Sequence, residues 1–295
     1  MHFSGDLPLG TITHQGNPRL SPLNEKCIPD LTLQDEGLHM LGRAEISDHS
    51  HTKHQKSSGW SELKRKVRTR ARKILRSSII TIDGIKLEVD RNHYPPNVVR
   101  ALYGERYEDM EAAFVRQAVK SGDRVLEIGA GIGFISMLCA RACGADAVLS
   151  YEANPANEAF IRRNFALNNL HPQFRSKAIS VEKGEGVLFV EHNFLSTGFI
   201  NRGNGKKMAV QCDPIDEVIR EFRPNCIVMD VEGAEIDLLP AAPLGGVDKI
   251  VLETHARVVG APAIADLEAH LQAQGFIRAN PGRGKVCLYL RRAAA

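Results

Sequence analysis

The chain has 295 residues, 43% of them hydrophobic, enough for one full core with an appendage but short for two large domains. It contains no run of about 18 apolar residues that could span a membrane, and its start, Met-His-Phe-Ser-Gly-Asp, lacks the basic-then-apolar order of a secretory signal, so a cytoplasmic location is expected. The net charge is +3, but residues 62–76 alone carry eight cations against one acid, so the basic character belongs to one segment and the rest of the chain is acidic.

Residues 1–60 are rich in Gly, Pro, Ser and His, follow no period of 2 or 3.6, and hold six of the eleven histidines. Such a tract cannot bury enough apolar surface to order itself, and it is expected to be a weak extension. His49, His51 and His54 lack a Cys or carboxylate partner and are read as solvated linker. The basic stretch has few apolar positions, Leu63, Val67, Ile74 and Leu75, and no interleaved aromatics. It is read as a solvated tether, with contact to a membrane or an acidic partner open and nucleic acid not expected. The extension is therefore placed at 1–77 and the folded domain at 78–295.

Order is expected from Ser78. In Ile79–Val89, Asp83-Gly84 separates two β-rich runs, the strongest local signal for a hairpin. After Pro95-Pro96, helices are expected over 98–103 and 109–119, the second with Met110, Ala113, Phe114 and Ala118 on one face. The two would cap the core that follows.

From 124 onward strands and helices alternate: strand 124–128, helix 133–143, strand 147–152, helix 155–168, strand 173–180, a strand pair with a mobile loop over 183–211, helix 214–222, strand 226–231, strand 249–254, helix 262–274, and strands 276–279 and 286–291. That alternation predicts an α/β fold with an open, mostly parallel sheet covered by helices on both faces and ligands at the carboxyl ends of its strands. The apolar run at 226–229 belongs at the centre beside the first strand. The six cysteines form no C-x-x-C pair, and neither disulfides nor a zinc site is expected; no metal is assigned.

The ligand is legible in Val125-Leu-Glu-Ile-Gly-Ala-Gly-Ile-Gly133, a strand running into glycines at alternate positions and then into a helix. Glycine lets the backbone approach a ligand without a Cβ clash. A dinucleotide turn reads G-x-G-x-x-G, whereas here Gly129, Gly131 and Gly133 alternate and Glu127 stands just before them. A carboxylate beside the turn would repel a pyrophosphate and favour a cationic ligand such as S-adenosylmethionine, which has a sulfonium, an ammonium and no phosphate. Glu152, nineteen residues past Gly133 at the end of the second strand, is placed to accept from a ribose diol. Tyr107 and Glu108 stand before the cap helix as closing residues, and adenine contacts are sought near 177–180.

Gly104-Glu-Arg-Tyr-Glu108, the glycine turn, Tyr151-Glu-Ala-Asn-Pro155, Asp213-Pro-Ile-Asp216, Met229-Asp-Val-Glu-Gly-Ala-Glu235 and Leu252-Glu-Thr-His255 together resemble the FkbM-type family of S-adenosylmethionine-dependent methyltransferases, over about residues 80–292. The resemblance implies a seven-stranded Rossmann-like domain and methyl transfer to a hydroxyl of a small molecule, such as a sugar or polyketide-type scaffold. A hydroxyl must lose its proton, so carboxylates or an imidazole beside it are the candidate catalytic groups: Asp230, Glu232 and His255, with Glu253 orienting the histidine and Glu235 opening a helix on the same cleft. Three acids within six residues should push at least one pKa upward. Two other classes remain, a binding protein that keeps the cofactor pocket without turnover and, against the glycine spacing, an NAD-dependent oxidoreductase.

Overall fold

The computed structural model describes residues 59–190, 197–200, 205–279 and 284–292. The histidine cluster at 49–54, Cys27, most of the extension and most of the loop expected within 183–211 lie outside them. The described residues form one compact unit.

The chain enters through α1 (Gly59–Leu75), the hairpin β1 (Ile79–Ile82) and β2 (Ile85–Glu88), α2 (Pro96–Tyr103) and α3 (Asp109–Ala118). Asp83 and Gly84 both take positive φ, as a tight two-residue hairpin turn requires. The hairpin's β2 is tied down by asparagines: Lys86 N donates to Asn168 Oδ1 at 2.7 Å and Glu88 N to Asn164 Oδ1 at 2.8 Å. Those amides replace the ladder partner that an edge strand lacks.

Two expectations for this region are corrected. The basic stretch is a helix and not a free tether, because Glu105, at a left-handed turn after α2, accepts from Arg68 at 2.8 and 2.7 Å and pairs with Arg72 at 2.8 Å. In α3 the buried positions are Glu111, Ala112, Val115 and Ala118, while Met110 and Ala113 face outward. An apolarity count assigned the face wrongly because it could not foresee a carboxylate turned inward.

The core elements follow as β3 (Val125–Ile128), α4 (Phe134–Cys143), β4 (Val148–Tyr151), α5 (Glu158–Asn168), β5 (Gln173–Arg175), β6 (Ala178–Ser180), β7 (Gly184–Val190), β8 (Thr197–Gly198), β9 (Lys206–Pro214), α6 (Ile215–Phe222), β10 (Cys226–Met229), α7 (Glu235–Ala241), β11 (Lys249–Glu253), α8 (Ala256–Val259), α9 (Ala261–Ala273), β12 (Phe276–Arg278) and β13 (Val286–Arg291). The main sheet has the order β12-β13-β11-β10-β3-β4-β5. It is parallel from β11 to β5, while β13 runs antiparallel to β11 and to β12. Both faces are buried: alternate residues of β10 divide between two apolar clusters, Cys226 and Val228 in one, Ile227 and Met229 in the other. This explains why the central strands read as continuous apolar runs.

The expected strand 173–180 breaks at Ser176-Lys177. Its second half, β6, leaves the main sheet to join a four-stranded sheet of order β6-β9-β7-β8, whose pair β7 and β9 is the one read from 183–211. Lys177 Nζ bonds Asp213 Oδ1 at 2.8 Å, which pins the crossing point. Among the described residues no helix is long and apolar enough to cross a membrane.

Candidate functional site

The reversal of strand order lies between β3 and β10, and the carboxyl ends of the parallel strands open there into a cavity of about 370 Å³. The glycine turn forms its floor. Gly129 and Ala130 donate to Tyr151 O at 2.9 and 3.0 Å, which binds the turn to β4. Gly129 has φ +96°, and a Cβ there would stand 1.9 Å from Asp230 O, so only glycine fits between β3 and β10. Gly131 faces the cavity, with Tyr107 Oη 3.1 Å from where its Cβ would be. Gly133 serves a different purpose. Its missing Cβ makes room for Phe165 and Ile161 of α5, and it does not line the cavity.

Glu152 is 6% exposed, and its carboxylate is held by three donors: Gly131 N at 2.8 Å, Asn154 N at 2.9 Å and Asn157 Nδ2 at 3.1 Å. Burial pushes its pKa up to about 7 against the pull of those amides. Glu127, 1% exposed, accepts from Ser136 beneath the turn and is not among the cavity-lining residues. Burial raises its pKa as well. Lys177, Ala178 and Ile179 line the wall where adenine contacts were expected, and Tyr107 and Glu108 line the roof. Burial drives the Tyr107 hydroxyl and the Glu108 carboxyl well above their ordinary values, and the two are hydrogen-bonded to each other.

At the far end stands a charge cage. His255 Nε2 lies 3.4 Å from Asp230 Oδ1, 3.4 Å from Glu232 Oε2 and 3.5 Å from Glu253 Oε1, while its Nδ1 lies 3.4 Å from Glu235 Oε1. Glu235, fully buried at the start of α7, also accepts from His255 N and Gly233 N, both at 2.8 Å. Burial alone would lower the histidine pKa, but the carboxylates of Glu235, Glu253 and Asp230 outweigh it and push it up to about 10. His255 is therefore an imidazolium at neutral pH, a state that cannot take a proton. The Asp230 pKa also rises: burial, then repulsion from Glu253, lifts it to about 7 despite His255. The upward shift expected of the acid cluster falls on this residue.

Two cavity residues escaped the sequence reading. Glu111 of α3 is 5% exposed, and burial followed by the fields of Glu108 and Asp230 raises its pKa well above the usual carboxyl range. Lys285, whose Nζ pairs with Glu253 Oε1, closes the opposite side. Glu111 was hidden in a helix that read as amphipathic, and Lys285 sits in a polar stretch with no motif. Among the described residues, ligand-type atoms of Asp230, Glu253 and His255 all lie within 4.8 Å of one another, and this trio could hold a cation only with the imidazole deprotonated.

Seven acids line the cavity, Glu108, Asp109, Glu111, Glu152, Asp230, Glu232 and Glu253, against Arg106, Lys177 and Lys285. That balance disfavours a pyrophosphate and suits a ligand with cationic groups. A family model described as the TRM5/TYW2 methyltransferase domain matches residues 83–193, the stretch from the hairpin through the glycine turn and Glu152 to the end of β7. A relative from Methanocaldococcus jannaschii named "Putative protein N5-glutamine methyltransferase" is 35% identical over 96 residues, 32% of this chain. The chain spans only 43% of that relative's length. Among solved structures, TYW2 of Pyrococcus horikoshii in complex with MeSAdo is 13% identical over 79% of this chain and 83% of its own, with a TM-score of 0.40. An S-adenosylmethionine-dependent O-methyltransferase from Thermotoga maritima is 17% identical over 64% of this chain and 67% of its own, with a TM-score of 0.38.

The sheet order with its antiparallel β13, the alternating glycine turn after β3 and the matched domain define a class I methyltransferase fold. S-adenosylmethionine is its cofactor, and the buried carboxylate after β4 and the acidic lining fit that ligand.

Proposed function

We propose that residues 78–295 form a domain that transfers a methyl group from S-adenosylmethionine to a hydroxyl oxygen of a small acceptor held over Asp230. The observation that carries this reading is the position and state of Asp230: at the end of the central strand, lining the same cavity as Gly129, Gly131 and Glu152, with a pKa of about 7. A carboxyl poised there is half ionised at neutral pH, the condition under which general-base help is greatest. The FkbM-type resemblance of the Asp-Val-Glu-Gly run belongs to this reading.

Glu152 would bind the ribose hydroxyls, Gly129 and Gly131 would let the methionine portion approach the backbone, and Tyr107 and Glu108 would cover it. Glu127 and Gly133 would act by shaping the turn. When bound, the cofactor supplies a methyl group made electrophilic by the sulfonium. The protein's share is to align the acceptor, exclude water and take the proton. The Asp230 carboxylate accepts that proton, Glu232 positions the hydroxyl, and His255 acts as a positioning cation whose fixed charge keeps Glu235 and Glu253 ionised.

A second reading is favoured by the descriptions of the matched domain and relative: a nitrogen acceptor on a protein or on transfer RNA. Incubation of the purified chain with methyl-labelled S-adenosylmethionine and separate metabolite, protein and tRNA fractions distinguishes them. A mass gain of one methyl in an alkali-stable small-molecule product supports the O-methyl reading, and label confined to protein or RNA overturns it.

A further inference from the structure

α1 turns its polar side to the body and its apolar side to solvent. The inward positions are Glu62, Arg65, Thr69 and Arg72, with Arg65 Nη1 donating to Gly104 O at 3.1 Å and Arg72 Nη1 to Tyr103 O at 3.2 Å. On the opposite side Leu63 is 52% exposed, Val67 58% and Ile74 81%, and Leu75, at the helix end, is 76% exposed. With 3.6 residues per turn, Leu63, Val67 and Ile74 fall within about 40° of one another, diametrically away from the docked face. Lys64 borders this row on one side and Arg70 and Lys73 on the other, and none of the three makes an ion pair among the described residues.

An apolar ridge edged with free cations costs solubility unless something covers it. We propose that the outward face of α1 seats on an anionic lipid surface, with Leu63, Val67 and Ile74 entering the head-group boundary and Lys64, Arg70 and Lys73 pairing with lipid phosphates and carboxylates. The charge complementarity selects this occupant. A second copy packed face to face would set these cations against their own equivalents. A nucleic-acid strand would match the charge but leave the aliphatic ridge uncovered, and no aromatic residue stands among the cations from Lys64 to Arg76 on which bases could stack, Trp60 lying one turn before the first of them. Lipid satisfies both the ridge and its borders. Docking through Glu105 would hold the helix in register, so that the face is presented already folded and no ordering cost falls on binding. The inference is independent of the methyl-transfer reading, since no residue of this face lines the cavity.

The test is sedimentation of the full chain with phosphatidylcholine vesicles, with and without phosphatidylserine. Binding is expected only to the phosphatidylserine vesicles and should fall steeply with added salt. The double variant Leu63→Asn/Ile74→Asn and the triple variant Lys64→Gln/Arg70→Gln/Lys73→Gln should each reduce partitioning by about tenfold or more. Both should keep the wild-type S-adenosylmethionine affinity, which shows that the fold is intact. No sedimentation of the full chain at low salt overturns the proposal. So does wild-type partitioning of the Leu63→Asn/Ile74→Asn variant, which would mean charge adsorption alone. Retention of a single-stranded RNA by α1 without vesicle binding also overturns it and assigns the face to nucleic acid.

Discussion

At the donor end of the cavity, Glu152 is held by three hydrogen-bond donors and the glycine turn is tied by its amides to Tyr151. At the end where we place the acceptor, Asp230 Oδ1 and His255 Nδ1 make no hydrogen bond among the described residues, and four carboxylates crowd one imidazolium at 3.4 to 3.5 Å. The first end is organised by backbone geometry and has one arrangement to offer, as suits a ligand that never changes. The second is organised by opposed charges, so its protonation can shift at small cost when an acceptor arrives. Buried polar atoms left unpaired cost about 1 to 3 kcal/mol each, and the glycine-turn end carries such atoms too, Glu127 Oε1 and Asn157 Oδ1, so the contrast between the two ends lies in the charge gathered around His255.

The comparison breaks most violently at its hinge, Gly129, which belongs to the donor turn and touches the acceptor strand. Gly129→Ala would place a methyl on Asp230 O and force an L residue into φ +96°. Overlap with backbone and the forbidden torsion together should cost about 3 kcal/mol or more and abolish donor binding. Thermal melting and calorimetry check this; a variant that melts and binds like wild type would show the two strands to be less tightly joined than drawn.

Next in size is the charge of the acceptor end. Asp230→Asn should lower turnover by about a hundred to ten-thousandfold and Glu232→Gln by about tenfold, with donor affinity nearly unchanged. Wild-type kcat should rise with pH to a midpoint near 7, where the Asp230 carboxyl ionises, and the Asp230→Asn variant should lack that limb. Equal loss of donor affinity in both variants would dissolve the distinction between the ends. Smaller still, Glu152→Ala removes charge-assisted bonds worth about 1.5 to 3 kcal/mol and should weaken S-adenosylmethionine binding about 10- to 150-fold with kcat at saturation little changed. Unchanged affinity by calorimetry would remove Glu152 from the donor end.

How much of this was legible in the sequence depends on whether the signal was local. β3, the glycine turn, β10 and the Asp83-Gly84 hairpin announce themselves because an apolar run or a positive-φ residue is a property of a few neighbouring positions. The inward Glu111 and the docked helix α1, read as a solvated tether, were missed for the converse reason: each depends on what the helix packs against, and period alone cannot give the sign of a face. The break at Ser176-Lys177 is likewise a tertiary event, set by Asp213, 36 residues away from Lys177. Asp230, Glu232, Glu253 and His255 were named from two separate strand ends, but their convergence on one imidazole, and hence its charge, follows from the parallel register of β10 and β11.

His255 supplies the finest test. In the unfolded chain its imidazole titrates near 6.5, and in the folded cage near 10. A folded-state pKa above the unfolded one stabilises the protein fully below about pH 6.5, and the contribution is lost as pH rises through 10. The melting-temperature gap between wild type and His255→Gln should therefore be widest near pH 6 and narrow steadily toward pH 10, with part of the narrowing set by the carboxylates that the cation leaves behind. In NMR titration the His255 ring signals of the wild type should stay in the protonated position through pH 8, and Glu235→Gln should bring the midpoint down, because Glu235 is the first of the carboxylates that raise it. A wild-type midpoint near 6.5 would mean that the cage does not hold a cation; His255 would then regain the role of base, and the acceptor end would be organised, like the donor end, by ordinary hydrogen bonds.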